Sequence, residues 1–194
     1  MFYNLFVVRF AERFKIESSR LAGWNYSGKG IYFITICTRY QNNFFGKIMD
    51  GKMIYKVAGE ICVNCINEIS KHFPDVRLIE SVVMPNHVHI LFHVETHDRA
   101  SLQDNRKITL INLGHKNHPD YYSRLSKKSN QVVPNVIKQL KSSVKRKCNQ
   151  QKLYFVWQDR YYDEVIKDNK RLNTIKYYIK NNIKNWQKDK LYRA

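Results

Sequence analysis

Two β-rich runs separated by only two residues constrain the fold of this chain more than any other feature. They cover residues 76–84 and 87–94, with Pro85 and Asn86 between them. A connection this short joins neighbouring antiparallel strands, because parallel strands need a crossover of a dozen or more residues. The sequence therefore predicts a tight antiparallel β-hairpin near the middle of the chain.

The rest of the pattern places this hairpin inside a mixed sheet. A β-rich run at 30–38 predicts a first strand, and apolar residues at helical spacing predict a helix over about 55–72 and another over about 134–148. A short β-like run at 154–157 and a last helix over 168–186 follow. The order β-α-β-β-α-β-α predicts an α+β fold, a ferredoxin-like (split βαβ) antiparallel sheet with helices, plus a C-terminal helix.

The basic residues concentrate in the last third of the chain. The whole chain has 34 Lys and Arg against 16 Asp and Glu, a net charge of +18, and residues 124–194 hold 19 basic and 5 acidic residues, a net +14. A localised basic surface is typical of proteins that contact phosphate backbones. Aromatic residues interleaved with the charges offer stacking faces for unpaired bases, which favours nucleic acid over an anionic membrane. The predicted phosphate contacts are Lys141, Lys145, Arg146 and Lys147.

Composition and length predict one folded domain. A hydrophobic fraction of 43% and an aromatic fraction of 13% exclude a disordered basic tail. We expect an N-terminal arm at 1–22 and a single domain at 23–194 with a polar insertion at about 95–130. No apolar run approaches the roughly 20 residues of a membrane span, and the N-terminus lacks the features of a secretory signal, so a cytoplasmic location is expected. Four cysteines are few for a disulfide framework, and the one CxxC pair, Cys62 and Cys65, falls on the apolar stripe of the predicted helix at 55–72, so these two are interpreted as small buried hydrophobes.

His87 and His89 are the most promising candidates for chemistry. They flank Val88 in the second strand of the hairpin, so both side chains lie on one face of the sheet, with Cα atoms about 6.6 Å apart. Two imidazoles placed in this way can bind one metal ion. Alternation by itself gives any His-x-His this arrangement, so a purely structural role remains open from the pattern alone.

Five segments together resemble the REP-associated tyrosine transposases, relatives of the IS200-like transposases within the HUH (His-hydrophobic-His) nucleases. The segments are 20–26 (RLAGWNY), 31–38 (IYFITICT), 84–90 (MPNHVHI), 156–158 (VWQ) with 161–163 (YYD), and 178–182 (YIKNN). They occur in the order found in that family. The resemblance extends over about residues 17–186 and fades in 95–130.

The resemblance implies transesterification on single-stranded DNA, in which a tyrosine attacks the scissile phosphate and leaves a 5′-phosphotyrosine and a free 3′-OH. It assigns Tyr178 as the nucleophile, His87 and His89 as metal ligands, and Asn182 as the residue that completes the metal site. The implied cofactor is Mg²⁺ or Mn²⁺, and the implied partner is single-stranded DNA, in hairpin-forming sequences. The implied assembly is a monomer or a homodimer, without a membrane partner.

The pattern of the last helix leaves Tyr177 and Tyr178 as comparable phenols. Asn182 favours Tyr178, because residues four apart lie one above the other on a helix. Ile183 stands where the family commonly has proline, which predicts that the helix continues past Asn182.

Two alternatives remain at this stage. The first is a non-catalytic ferredoxin-like module that binds RNA or DNA, whose basic stretches would look the same but which would not need the two histidines, Tyr178 and Asn182 together. The second is a domesticated relative that cleaves DNA but no longer mobilises any element.

Overall fold

The structure, a computed structural model, describes residues 29–95 and 131–193. The predicted arm at 1–22, the 20–26 motif and nearly all of the predicted insertion at 95–130 lie outside the described residues. Within the described ranges, no helix is long and apolar enough to cross a membrane.

The described residues form six strands and four helices. The strands are β1 (Gly30–Cys37), β2 (Gly46–Met49), β3 (Lys52–Tyr55), β4 (Val76–Val83), β5 (His87–Val94) and β6 (Tyr162–Ile166). The helices are α1 (Val57–Asn67), α2 (Ile69–His72), α3 (Val132–Gln150) and α4 (Asn169–Asn181). Short 3-10 turns lie at Arg39–Gln41 and Trp186–Lys188.

Four of the strands form one antiparallel sheet in the order β4-β5-β1-β6. The predicted hairpin is its β4–β5 pair, in which the register pair nearest the connection is Val83 with Val88. The first strand of the chain, β1, therefore lies between β5 and β6, as in a split βαβ fold. The prediction of a ferredoxin-like α+β fold is confirmed.

The two faces of the sheet carry different layers. On one face, alternate residues such as Ile34 and Ile90 pack against α1 and α3 in the main core. On the other face, Leu91 packs with Ile175 and Ile179 of α4. Because side chains alternate along β5, the odd-numbered His87 and His89 share the α4 face with Leu91.

The predicted strand at 154–157 is wrong, and the fourth strand of the large sheet is β6. Trp157 makes only an isolated bridge with Thr38. Instead of a ladder, Lys145 donates a hydrogen bond to the carbonyl of Phe155, and Lys141 donates to the carbonyl of Gln158. These lysines satisfy backbone acceptors that a neighbouring strand would otherwise cover. The small β2–β3 hairpin was not predicted from the sequence either.

The predicted helices differ from the observed ones mainly at their ends. The helix predicted at 55–72 is interrupted at Glu68, which separates α1 from α2, and the helix predicted at 134–148 extends over the whole of α3. The last helix starts after Asp168, whose carboxylate accepts a hydrogen bond from Arg171 N at 2.7 Å. It ends at Asn181, so the predicted continuation past Asn182 is wrong although Ile183 replaces proline.

All four cysteines are buried and free, and for Cys62 and Cys65 this burial was predicted.

Candidate active site

The two histidines lie at the start of β5, directly after the Pro85–Asn86 connection. His87 is fully buried and His89 is 3% exposed. They face Cys37 and Thr35 of β1 across the sheet. The neighbouring Val88 points into the main core on the opposite face. The strand thus anchors itself with apolar residues on one side and presents both imidazoles on the other.

The two imidazoles converge on one point, and neighbouring side chains orient them. His87 Nε2 and His89 Nε2 are 3.0 Å apart. Asn86 Nδ2 donates to the carbonyl of Leu191 at 2.8 Å, so Asn86 Oδ1, 2.8 Å from His87 Nδ1, accepts the proton of that nitrogen. Thr35 Oγ1 lies 2.8 Å from His89 Nδ1 and is placed to do the same. Both Nε2 atoms are then left with lone pairs, as in metal sites where a second residue sets the histidine tautomer.

Burial keeps both imidazoles uncharged. It lowers the pKa of His87 to about 4, against an opposing effect of the Asp189 carboxylate. Burial, together with the nearby His87, holds the pKa of His89 well below its usual range. Histidine binds metal ions through the neutral ring, so both residues are in their ligating form at neutral pH.

Tyr178 reaches the histidine pair from α4. Its Oη lies 3.1 Å from His89 Nε2 and donates to Asp189 Oδ2 at 2.9 Å. The ring stands edge-on to Phe33, which in turn stacks on His89. Burial, followed by the charge and hydrogen bond of Asp189, raises the pKa of the phenol. Tyr177 is 71% exposed, so the structure brings Tyr178 and not Tyr177 to the histidines.

Asn182 is buried one residue beyond α4. Its Nδ2 donates to Asp189 Oδ2 at 3.0 Å, while its Oδ1 has no hydrogen-bond partner among the described residues. An unpartnered buried amide oxygen costs free energy, which makes it a candidate ligand for a cation.

Asp189 is the site residue that the sequence analysis missed. His87, His89 and Asp189 each offer one ligand atom, and the three atoms lie within 4.8 Å of one another. The 3-10 turn at Trp186–Lys188 brings the carboxylate back to the sheet, because Trp186 packs with its ring centroid 5.9 Å from that of His87. A signal was present in the sequence, since Asp189 is the only acidic residue after Asp168 in a strongly basic segment.

These side chains suit a divalent cation. Two buried Nε2 lone pairs 3.0 Å apart repel each other unless a proton or a cation lies between them. Two ligands of an octahedral ion at about 2.1 Å lie about 3 Å apart, which matches this separation. The Asp189 carboxylate adds a negative charge and an oxygen donor. The group could therefore bind a metal ion.

The predicted phosphate contacts point in different directions around α3, and three of the four are engaged within the protein. Lys141 and Lys145 donate to backbone carbonyls of the segment that follows α3. Lys147 forms an ion pair with Glu68 at 3.0 Å. Arg146 is exposed. The four side chains therefore differ in how freely they can contact a phosphate.

Comparison with known proteins gives one relative along nearly the whole chain. No protein-family model matches. A protein of Haemophilus influenzae, described as uncharacterized, is 30% identical over 177 residues, which are 91% of this chain and 92% of that protein. This chain and that protein belong to one family. The similarity therefore extends over nearly the full length of both proteins.

Two solved structures align with more distant similarity. One is a REP-associated tyrosine transposase bound to a REP hairpin, with 16% identity, a TM-score of 0.42, and coverage of 79% of this chain and 66% of that one. The other is described as a putative transposase from Deinococcus radiodurans R1, with 18% identity, a TM-score of 0.41, and coverage of 84% and 97%.

Proposed function

We propose that this protein is a metal-dependent tyrosine transposase that cleaves and rejoins single-stranded DNA through a 5′-phosphotyrosine intermediate. The observation that carries the proposal is the position of Tyr178 Oη, 3.1 Å from Nε2 of a buried histidine pair. The motif resemblance to the REP-associated tyrosine transposases supports the same assignment. A phenol can act as the nucleophile of phosphoryl transfer, and two neutral imidazoles with a carboxylate can hold the metal ion that assists it.

In the proposed reaction, Tyr178 Oη attacks the scissile phosphorus. The Oη–P bond forms, the P–O3′ bond breaks, and the 3′ oxygen leaves and takes up a proton from solvent water. The phenol proton already lies in a hydrogen bond to Asp189 Oδ2, which is placed to accept it. The phosphotyrosine ester conserves the bond energy, so a 3′-OH can attack it in the reverse direction and join strands without ATP.

His87, His89 and Asp189 would hold the metal ion, and the unpartnered Oδ1 of Asn182 is available as a further oxygen ligand. A bound Mg²⁺ or Mn²⁺ would stabilise the negative charge that builds up on the phosphate oxygens. Asn86 and Thr35 orient the imidazoles so that their Nε2 atoms converge on one point.

The proposed substrate is single-stranded DNA, in sequences that fold into hairpins, and the proposed assembly is a monomer or homodimer. A non-catalytic nucleic-acid-binding module would use the same basic surface. It would have no need for buried neutral histidines in contact with a tyrosine hydroxyl. The covalent intermediate therefore separates the two functions.

The test is to incubate the protein with a panel of single-stranded hairpin oligonucleotides and Mn²⁺ and to look for a covalent protein–DNA band. We expect an adduct with the original chain and with Tyr177→Phe, and none with Tyr178→Phe. The phenylalanine keeps the ring but lacks the nucleophilic oxygen, so Tyr178→Phe still binds DNA. Mass spectrometry should locate the nucleotide on Tyr178; a nucleotide on Tyr177, or no adduct with any hairpin, contradicts the proposal.

A further inference from the structure

A cleft of about 380 Å³ opens behind the histidine site, between the β2–β3 turn and the chain that follows α4. We name it the hairpin cleft. Pro85, two residues before His87, lines it. Trp186 forms another part of its wall and also packs with its ring centroid 5.9 Å from that of His87. A ligand in the hairpin cleft would therefore be separated from the candidate metal site by little more than one indole ring.

The walls of the cleft attract anions. Lys47, Lys184 and Arg193 line it, and Asp50 is the only acidic residue among its lining residues. Within the part of the chain that the structure describes, Lys47 and Lys184 have neither an ion-pair nor a hydrogen-bond partner. Arg193 donates only to the carbonyl of the adjacent Tyr192. Three cations against one carboxylate leave an excess of two positive charges for a bound phosphate.

The same cleft offers aromatic surface. Trp186 and Tyr192 both line it and meet edge to face, with ring centroids 5.2 Å apart at 72°. Two crossed aromatic rings make a corner in which a planar base can stack on one ring and touch the edge of the other. The volume lies in the range of small-ligand sites and is too small for a duplex.

We propose that the hairpin cleft binds one nucleotide of the single-stranded substrate, with the base against Trp186 and Tyr192 and the phosphate at Lys47, Lys184 and Arg193. The proposal rests on the proposed function for its link to DNA cleavage. The cleft would then hold the strand on the far side of Trp186 while the neighbouring phosphate lies at Tyr178. It would position DNA and take no part in the chemical step.

The test uses deoxynucleoside 5′-monophosphates and the full chain, followed by the indole N–H signals in NMR. The chain has three tryptophans, and the signal missing in Trp186→Phe identifies Trp186. We expect at least one monophosphate to shift the Trp186 signal saturably, and the matching nucleoside without phosphate to bind more weakly. Lys47→Ala/Arg193→Ala should weaken binding of the monophosphate about tenfold or more, because two charged contacts are lost.

The matched control is Lys29→Ala/Lys71→Ala, which removes two exposed lysines that do not line the cleft. It should bind the monophosphate as the original chain does, and so should Tyr178→Phe, since binding requires no cleavage. The nucleotide site is contradicted if no monophosphate shifts the Trp186 signal. It is also contradicted if Lys29→Ala/Lys71→Ala loses as much affinity as Lys47→Ala/Arg193→Ala. Adduct formation without monophosphate binding supports the proposed function and contradicts the nucleotide site in the cleft. Monophosphate binding without adduct formation supports the nucleotide site and contradicts the proposed function.

Discussion

At the scale of single residues, the candidate site depends on how each imidazole is held. Asn86 donates to the carbonyl of Leu191 and accepts the proton of His87 Nδ1. Thr35 Oγ1 is placed to accept the proton of His89 Nδ1. The ligating atoms are therefore set by residues that themselves need not touch a metal ion. Such supporting residues commonly change metal affinity by about 10–100-fold when they are removed.

Removing either imidazole should abolish cleavage. With His87→Ala or His89→Ala we expect loss of Mn²⁺ binding and of the covalent adduct, while most DNA affinity remains because the basic residues of α3 lie outside the histidine site. His93→Ala is a matched control, since His93 lies on the same face of β5 but pairs with Glu95 instead. Calorimetric titration with Mn²⁺ and the adduct assay measure the two effects. Cleavage that continues in EDTA, or in the double histidine variant, argues against the metal role.

Asp189 and Asn182 should differ in the size of their contributions. Asp189→Ala removes the carboxylate that lies among the imidazoles and accepts the Tyr178 hydroxyl hydrogen bond, so Mn²⁺ affinity and adduct yield should both fall strongly. Asn182→Ala should reduce activity less completely, because His87 and His89 keep their lone pairs. Mn²⁺ titrations of both variants show which of the two substitutions weakens metal binding more. The opposite order would make Asn182 the principal oxygen ligand and Asp189 a positioning residue.

At the scale of elements, the start of α1 is held against the chain that leads into β2. Gly59 lies so close to this segment that an added Cβ would come within 2.2 Å of the carbonyl oxygen of Phe45. Phe45 is itself fully buried, between Phe155 and Trp157. The helix can therefore approach the core only with glycine at this position.

Gly59→Ala should consequently destabilise the protein although alanine is the better helix former. The new methyl group meets backbone, which cannot rotate away, so we expect a loss of about 1–3 kcal/mol in the free energy of unfolding. Asn64→Ala, at an exposed position of the same helix, should be neutral or slightly stabilising. Urea unfolding of the three proteins measures this. Equal stability of Gly59→Ala and the original chain would show that α1 can shift freely.

At the scale of the whole molecule, positive charge surrounds a site that contains few charges of its own. The buried histidines are neutral, and Asp189 supplies the local negative charge. A net charge of +18 attracts a polyanion from any direction, so the position of the strand depends on local contacts more than on total charge.

The basic residues of α3 should contribute to DNA affinity through salt-dependent phosphate contacts. Replacing Lys141, Lys145, Arg146 and Lys147 by alanine should weaken binding across sequences and flatten the salt dependence. Each lost contact to single-stranded DNA lowers the slope by about 0.7. Arg146→Ala alone should show this without loss of stability, whereas Lys141→Ala should also lower the melting temperature because it leaves backbone carbonyls unpaired. Fluorescence anisotropy at several salt concentrations, with Lys29→Ala as the control, measures DNA affinity and its salt dependence. An unchanged slope in the quadruple variant refutes the assignment of these four residues as phosphate contacts.

Local patterns in the sequence were sufficient for the β4–β5 hairpin, the common face of His87 and His89, and the order of β1, β4, β5 and the long helices. Each of these follows from spacings of two to four residues and from turn residues that act on their own neighbours. The resemblance of the motifs added Tyr178 and Asn182 as site residues. Neither source separated an internal strand at 154–157 from an extended segment whose carbonyls are bound by lysines.

Only the tertiary structure decided which polar groups meet. Asp189 lies about a hundred residues from the histidines in the chain, and it reaches them because Trp186 buries its ring against His87. Likewise, Lys141 and Lys145 look like free charges in the sequence but donate to carbonyls of the segment that follows their helix. Contacts of this kind depend on long-range packing, in which many weak apolar contacts act together, and no short spacing in the sequence encodes them.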